Sequence, residues 1–400
     1  MDFLSERLKK IKPSLTVAVN IKANALKAEG RDVLVLAAGE PDFDTPINIQ
    51  EAAIKAMKKG ETRYVPGKGT AELQNAIKNK FINDNNIKYA NDEITVGVGG
   101  KHIIFNAFMS TLNKGDEVII PAPYWVSYPD ITILAEGKPI IVECKKQNSF
   151  KITPEQLEEN ITSKTKWFML NSPSNPTGST YSYDELKELS KVLLKHENVI
   201  TLTDDIYEKI IYDNHKFYTL AQVEPKLKNR VLTLNGVSKA YCMTGWRLGY
   251  AGGPKEIISG MNKIQSQSTT STSSISMAAA VEALNGNQDF IDLHNKSFLK
   301  RRNMVVEMLN KANGISCDIP TGAFYVYPSC EGCIGKKTLD GKIINSDEDF
   351  MNYLLESEGI AGVHGAAFGL SPFFRISYAT SDEILKDACD RIIRATNKLI

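Results

Sequence analysis

Apolar residues recur through the middle of the chain as short continuous runs rather than in strict alternation. DEVIIPAP (116–123), KPIIVEC (138–144), TKWFMLNSP (165–173), NVITLTDD (198–205) and NRVLTLNG (229–236) each predict a strand inside a covered sheet. WRLGYAGG, shortly after the last of these, predicts one more strand ending in glycines. Helix signals lie between several of the runs. Thr153-Pro154-Glu155-Gln156 is a capping box with proline at the first helical position, and Ser182-Tyr183-Asp184-Glu185 opens the amphipathic run LKELSKVLLK. Strand, helix, strand over roughly 30 residues is the rhythm of a mostly parallel sheet with helices on both faces. The last quarter differs. It offers a helix around 287–313, a strand at GAFYVYP, a helix from Ser346 to Glu358, a strand at FFRISYA and a final helix. The pattern therefore predicts an α/β chain with a large domain over 46–295 and a smaller α+β domain built from 1–45 and 296–400.

Length and composition agree with that division and narrow the function. Four hundred residues exceed what one hydrophobic core ordinarily holds. A net charge of +1 gives no field to gather nucleic acid or an anionic membrane. MDFLSERLKKIKPS carries charges throughout, unlike a signal peptide, and no apolar run approaches the ~18 residues that cross a bilayer. A soluble cytoplasmic protein is expected. Six cysteines are too few for a disulfide scaffold, and the Cys330–Cys333 pair has no second cysteine or histidine pair to complete a metal site. No metal is expected.

The candidate chemistry gathers where a parallel sheet presents ligands, outside the carboxyl ends of its strands. ITVGVGGKHIIFNAF (94–108) runs strand, glycine turn, helix, so Gly99, Gly100 and the helix N-terminus offer amides to an anion such as phosphate. It is not a dinucleotide fingerprint, because position 102 is histidine, and GKGT (67–70) is not a P-loop, because Gly69 follows the lysine. Asn175 lies in a turn after a strand, which alone is an ordinary proline-rich connection. Asp204 and Tyr207 close another strand, where an acid often only caps the next helix. Trp125, in PAPYWVSYP, is a flat platform or simply core. Lys239 is sharper. Lysine is rarely placed between core strands without a partner, and burial lowers its pKa toward that of a carbonyl nucleophile. Arg247, eight positions on, would then pair with a phosphate that the Gly99 and Gly100 amides also hold. One ligand draws on all of these groups: pyridoxal 5'-phosphate.

The motifs KPSLTVAVNIKA, AAGEPDFDTP, TRYVPGKGT, GGKH, PAPYWVSYP, NSPSNPTG, DDIYE, GVSKAYCMTGWRLG, GAFYV and FRISYAT follow one another along nearly the whole chain. In that order they resemble the class I aminotransferases of fold type I, specifically the bacterial aspartate and aspartate/prephenate aminotransferase branch. The resemblance implies that Lys239 bonds to the cofactor aldehyde and later shuttles the substrate's Cα proton. It implies that Asp204 pairs with the pyridine nitrogen, that Tyr207 and Asn175 contact the ring oxygen, and that Trp125 stacks on the ring. Arg247 with the amides of Gly99, Gly100 and Lys101 would hold the phosphate. Tyr64 would reach the phosphate of a neighbouring subunit in a homodimer with shared sites. Arg375, helped by the Gly39 amide and with Trp125 and Asn175 beside it, would clamp the substrate carboxylate. Lys101 would meet a distal carboxylate, implying aspartate with 2-oxoglutarate. Lys12 is associated with additional use of prephenate to form arogenate, or is only an exposed lysine. Departures are Cys242 in place of a small serine or alanine, His364 in place of a proline, and the hydroxyl-rich STTSTSSIS (268–276). The implied reaction is reversible ping-pong transfer between amino acids and 2-oxo acids. A lyase of the same fold and a non-catalytic regulatory protein remain as alternatives; the paired cations Lys101 and Arg375 and the intact Lys239 weigh against them.

Overall fold

The five apolar runs fold as strands within two residues of their predicted bounds. The computed structural model describes residues 3–11 and 15–400. Its strands are β1 (Leu34–Val35), β2 (Ile94–Gly97), β3 (Glu117–Ala122), β4 (Lys138–Glu143), β5 (Thr165–Asn171) and β6 (Ile200–Asp204). Then follow β7 (Val231–Gly236), β8 (Gly249–Gly252), β9 (Tyr325–Val326), β10 (Ile360–Ala361), β11 (Val363–His364) and β12 (Phe374–Ser377). Seven of them form one sheet in the order β2-β8-β7-β6-β5-β3-β4, in which only β8 runs against its neighbours. Parallel β1–β10 and antiparallel β11-β12-β9 make two small sheets from the start and end of the chain.

Continuous apolar runs follow from burial on both faces. In β5, Phe168 and Leu170 enter one core cluster while Trp167 and Met169 enter another. β3 divides the same way, Ile119 to one side and Val118 with Ile120 to the other. Both predicted capping boxes form. Thr153 Oγ1 accepts from the Gln156 amide at 3.2 Å and Gln156 Oε1 from the Thr153 amide at 3.1 Å. Ser182 and Glu185 repeat the exchange at 3.2 and 2.8 Å. Several helices escaped the sequence reading, among them Ile47–Lys58, Ala71–Asn85 and Ser274–Asn285. Ser274–Asn285 has no acid in its first turn and no base in its last, so it carries few of the end signals that marked the others.

The sheet order brings the carboxyl ends of β3, β5, β6 and β7 to one edge, beside the N-terminus of the helix Gly100–Thr111. The link from β1 to the helix at Ile47 crosses this edge, and β12 arrives from the far end of the chain: Ser377 N donates to Leu36 O at 2.8 Å.

Candidate active site

A cavity of about 340 Å³ opens at that edge. Gly39, Gly100, Lys101, Trp125, Asn175, Asp204, Tyr207, Lys239, Arg247 and Arg375 all line it, so ten of the thirteen residues to which the sequence reading gave a cofactor or substrate role meet in one place. Gly99 stands directly behind, against the Arg247 guanidinium. Tyr64 does not join them; it is 93 % exposed and outside the cavity. Lys12 lies outside the described residues.

Lys239 sits in the turn that leaves β7, half-buried on the cavity wall. Its Nζ donates to the Gly39 carbonyl and lies 5.6 Å from the Tyr207 ring centroid. Burial first, then the positive charges of Arg375 and Arg247, pull its pKa from 10.5 down to about 8, against the pull of Glu40 and Asp204. Near neutrality this amine is far easier to deprotonate than a surface lysine.

Asp204 ends β6. Its Oδ2 accepts from the Tyr128 hydroxyl at 2.6 Å and its Oδ1 from the Ile206 amide at 3.4 Å. Burial raises its carboxyl pKa in spite of these donors and of Lys239, so a cationic N–H placed in the cavity would be well received. Tyr128 was missed in the sequence, although it follows Trp125 by three residues and packs edge-on against it at 5.3 Å. Tyr325, another unassigned aromatic, shares a 2.8 Å hydroxyl contact with Tyr207.

Arg375, on β12, is 2 % exposed. Its Nη1 donates to Asn175 Oδ1 at 2.8 Å and its Nη2 to Ala37 O at 2.7 Å, while its face lies 4.6 Å from the Tyr325 ring centroid. Nε has no partner, and among the described residues no acid forms an ion pair with it. A buried guanidinium without a carboxylate is costly unless a ligand brings one. The Asn175 carbonyl is thereby engaged by Arg375, a link that spacing along the chain does not reveal.

The fourth feature is an anion cradle. Gly99, at φ 81°, caps the helix Gly100–Thr111, and a Cβ there would overlap the Arg247 guanidinium, 2.9 Å from Cζ. Arg247 adopts φ 54° and donates from Nη1 to Thr244 O at 2.8 Å. The hydroxyl-rich stretch 268–276 supports this backbone, since Thr272 Oγ1 donates to Arg247 O at 3.1 Å. Thr244 also joins the cavity to the 37–45 segment through its 2.9 Å bond to Glu40. Lys101 opens the helix with Nζ 4.9 Å from the Trp125 ring centroid; burial, then Arg247, lowers its pKa. Because a side chain at position 99 would be strained at φ 81° and would push the Arg247 guanidinium aside, Gly99→Ala is expected to weaken retention of a phosphate-bearing ligand about tenfold or more, measured by equilibrium dialysis. Unchanged retention would separate this turn from anion binding.

Elsewhere, His364 pairs with Phe374 in the small sheet and does not line the cavity. Cys242 lies below Lys239, its sulfur 3.7 Å from His294 Nδ1. Cys330 and Cys333 are buried thiols whose sulfurs approach the Pro372 and Asn313 carbonyls at 3.5 Å, and burial pushes Cys333 up to about 11.

Known proteins share this arrangement of chain and sheet. A probable aspartate/prephenate aminotransferase of Rhizobium leguminosarum bv. phaseoli is 58 % identical over 394 residues, 98 % of each chain. An aspartate/prephenate aminotransferase of Cereibacter sphaeroides is 56 % identical over 98 % of each. The crystal structure of the aspartate aminotransferase from Rhizobium meliloti matches with a TM-score of 0.98 at 52 % identity over 100 % of both chains. The Thermus thermophilus aspartate aminotransferase with maleate matches at 0.92 and 39 %, covering 99 % of this chain and 100 % of that one. With the sequence profile of class I and II aminotransferases matching residues 31–392, the chain belongs to that aminotransferase family.

Proposed function

We propose that this aminotransferase moves an amino group reversibly between L-aspartate and 2-oxoglutarate, with pyridoxal 5'-phosphate as cofactor. The family implies that cofactor, and the relatives' names supply aspartate; 2-oxoglutarate, a second dicarboxylate, is the acceptor in this reading. The observation that carries the substrate reading is Arg375, a buried cation with an orphaned Nε, in the same cavity as the second cation Lys101. Two cationic handles suit an amino acid with two carboxylates. The cofactor fits the donor set: a glycine cradle in which a Cβ would displace Arg247, a buried acid held by neutral donors, an amine with a depressed pKa and an indole beside them.

In this reading Arg247 and the amides of Gly99, Gly100 and Lys101 hold the phosphate. Asp204 faces the ring nitrogen, Tyr207 and Asn175 the ring oxygen, and Trp125 the ring face. Bound there, pyridoxal phosphate supplies an aldehyde for the amino group and a ring that delocalises the electron pair left at Cα. Arg375, with the Gly39 amide, fixes the substrate α-carboxylate so that the Cα proton faces Lys239. Lys239 Nζ takes that proton and returns it on the other side of the transfer, a task suited to an amine titrating near neutrality. Tyr64 serves the phosphate of a partner subunit. Its exposure, with that of Ile47, Ile54 and Met57 on the preceding helix, supports a homodimer with shared sites. The chain further divides into the large and small domains drawn from the sequence, and works as a soluble cytoplasmic enzyme.

Single-turnover absorbance with aspartate, glutamate, an aromatic amino acid and arogenate tests the reading. Conversion of the cofactor by aspartate and glutamate supports it; failure with all four moves the case to a lyase or a non-catalytic regulatory protein. The relatives' names also favour prephenate, and comparable conversion by arogenate would establish that second use. Lys101→Gln is expected to raise KM for aspartate and 2-oxoglutarate about 10–100-fold, with a smaller effect on an aromatic substrate. Equal losses for both classes would remove Lys101 from distal-carboxylate recognition.

A further inference from the structure

β6 ends on the Asp204 carboxyl and the chain continues into a second, Asp205, whose amide still donates to Leu234 O at 2.9 Å, so strand alternation sends the two to opposite sides. Asp204 lines the cavity; Asp205 does not, and it is 2 % exposed. Asp205 Oδ2 accepts from Thr203 Oγ1 at 3.4 Å, and Thr203 accepts in turn from the Thr219 hydroxyl at 3.3 Å. The nearby cation, Lys80, is already engaged. It is paired with Glu208 and donates to Asn85 Oδ1 at 2.6 Å, the Asn85 amide closes the ring on the other Glu208 oxygen at 3.1 Å, and Asp84, 3.9 Å from Lys80, is matched by Lys209 at 3.0 Å. Tyr89 and Tyr250, also buried, face the same region as neutral phenols; Tyr89 is bonded to Thr233 at 3.0 Å and the Tyr250 hydroxyl has no partner. Among the described residues no cation forms an ion pair with Asp205.

The charges on this side therefore cancel without Asp205. Ionising it would place an uncompensated negative charge in the core, one residue from Asp204, and like charges that close resist joint ionisation. We infer that Asp205 is carried as a neutral carboxylic acid at neutral pH, leaving the single negative charge of this strand end on Asp204, toward the cavity. Burial pushes the Asp205 carboxyl well above the usual range; Glu208 and Asp204 push the same way, against Thr219 and Lys80. Asp205 is thus a positioning residue: it removes a rival charge so that Asp204 can ionise against a cationic ring nitrogen. The inference rests on the role proposed above for Asp204.

Infrared spectra of the holoenzyme, in H₂O and D₂O and with ¹³C in the aspartate carboxyls, test it. The wild type is expected to show an isotope-sensitive carboxylic-acid C=O band at neutral pH, lost in Asp205→Asn and kept in Asp204→Asn. Persistence of the band in Asp205→Asn, or its absence from the wild type, overturns the inference. If Asp205→Asn does not fold, Asp204→Asn decides: its spectrum should keep the band at about pH 7, and absence of the band there overturns the inference. Failure of the Asp204 reading appears separately, as near-normal kcat in Asp204→Asn whatever the band does.

Discussion

Lys239→Ala is expected to lower kcat/KM for aspartate by at least about 10⁴-fold. Lys101, the other amine on the cavity wall, is held over the Trp125 ring and does not replace Lys239. The fold should survive, and the cofactor-free variant should be more stable than the wild type at pH 7. The sign follows from linkage. The unfolded lysine keeps its proton up to 10.5, whereas the folded one releases it at about 8. Between those values the unfolded chain binds more protons, so stability rises with pH; below about 8 the full penalty is present. That penalty is on the order of 3 kcal/mol, and truncation removes it. Steady-state kinetics and thermal unfolding of the cofactor-free proteins read the two effects independently. Activity within tenfold of wild type would sink the assignment of Lys239, and a lower Tm at pH 7 would contradict its buried-charge environment.

Asp204→Asn is expected to reduce kcat by about 10³-fold with little change in KM for aspartate. The amide keeps the shape, and its one oxygen can retain the short Tyr128 bond while the NH₂ replaces the oxygen that met the Ile206 amide only at 3.4 Å, so binding and folding persist. What disappears is the negative charge that stabilises a protonated ring nitrogen as electron density moves into the ring. Burial raises the folded carboxyl pKa above its unfolded value, so the stability it contributes is present at low pH and falls as pH rises through the folded value. The cofactor-free Asn variant should therefore unfold at a higher temperature than wild type at neutral pH. A fall in KM-governed binding with kcat preserved would assign Asp204 to substrate contact instead.

The two variants share a pattern, since Lys239 and Asp204 are each ionisable groups held where the folded chain disfavours their charge. Arg375 is a third, with burial lowering its pKa as well. Lys239 and Asp204 lie at carboxyl ends of core strands, and Arg375 comes from the far end of the chain. A cofactor and a substrate that supply the opposite charges would relieve all three, which links binding energy directly to the site's chemistry.

Much of this was legible in the sequence because it is local. Continuous apolar runs marked β3 to β7, and Thr153 and Ser182 marked helix starts, since burial on both faces and capping are properties of neighbouring residues. Lys239 and Arg247 stood out because charge between core strands is locally anomalous. What the sequence alone left undetermined is where distant segments meet. The reversal of β8, the insertion of β3 between β5 and β4, the bond from Arg375 to Asn175, and Tyr128 behind Asp204 all arise from sheet order. The unequal surroundings of Asp204 and Asp205, adjacent and alike in sequence, arise the same way. Periodicity along a chain encodes which face a residue turns to; the pKa of a carboxyl or amine depends on every group within several ångströms of it, and only the folded arrangement assembles those groups.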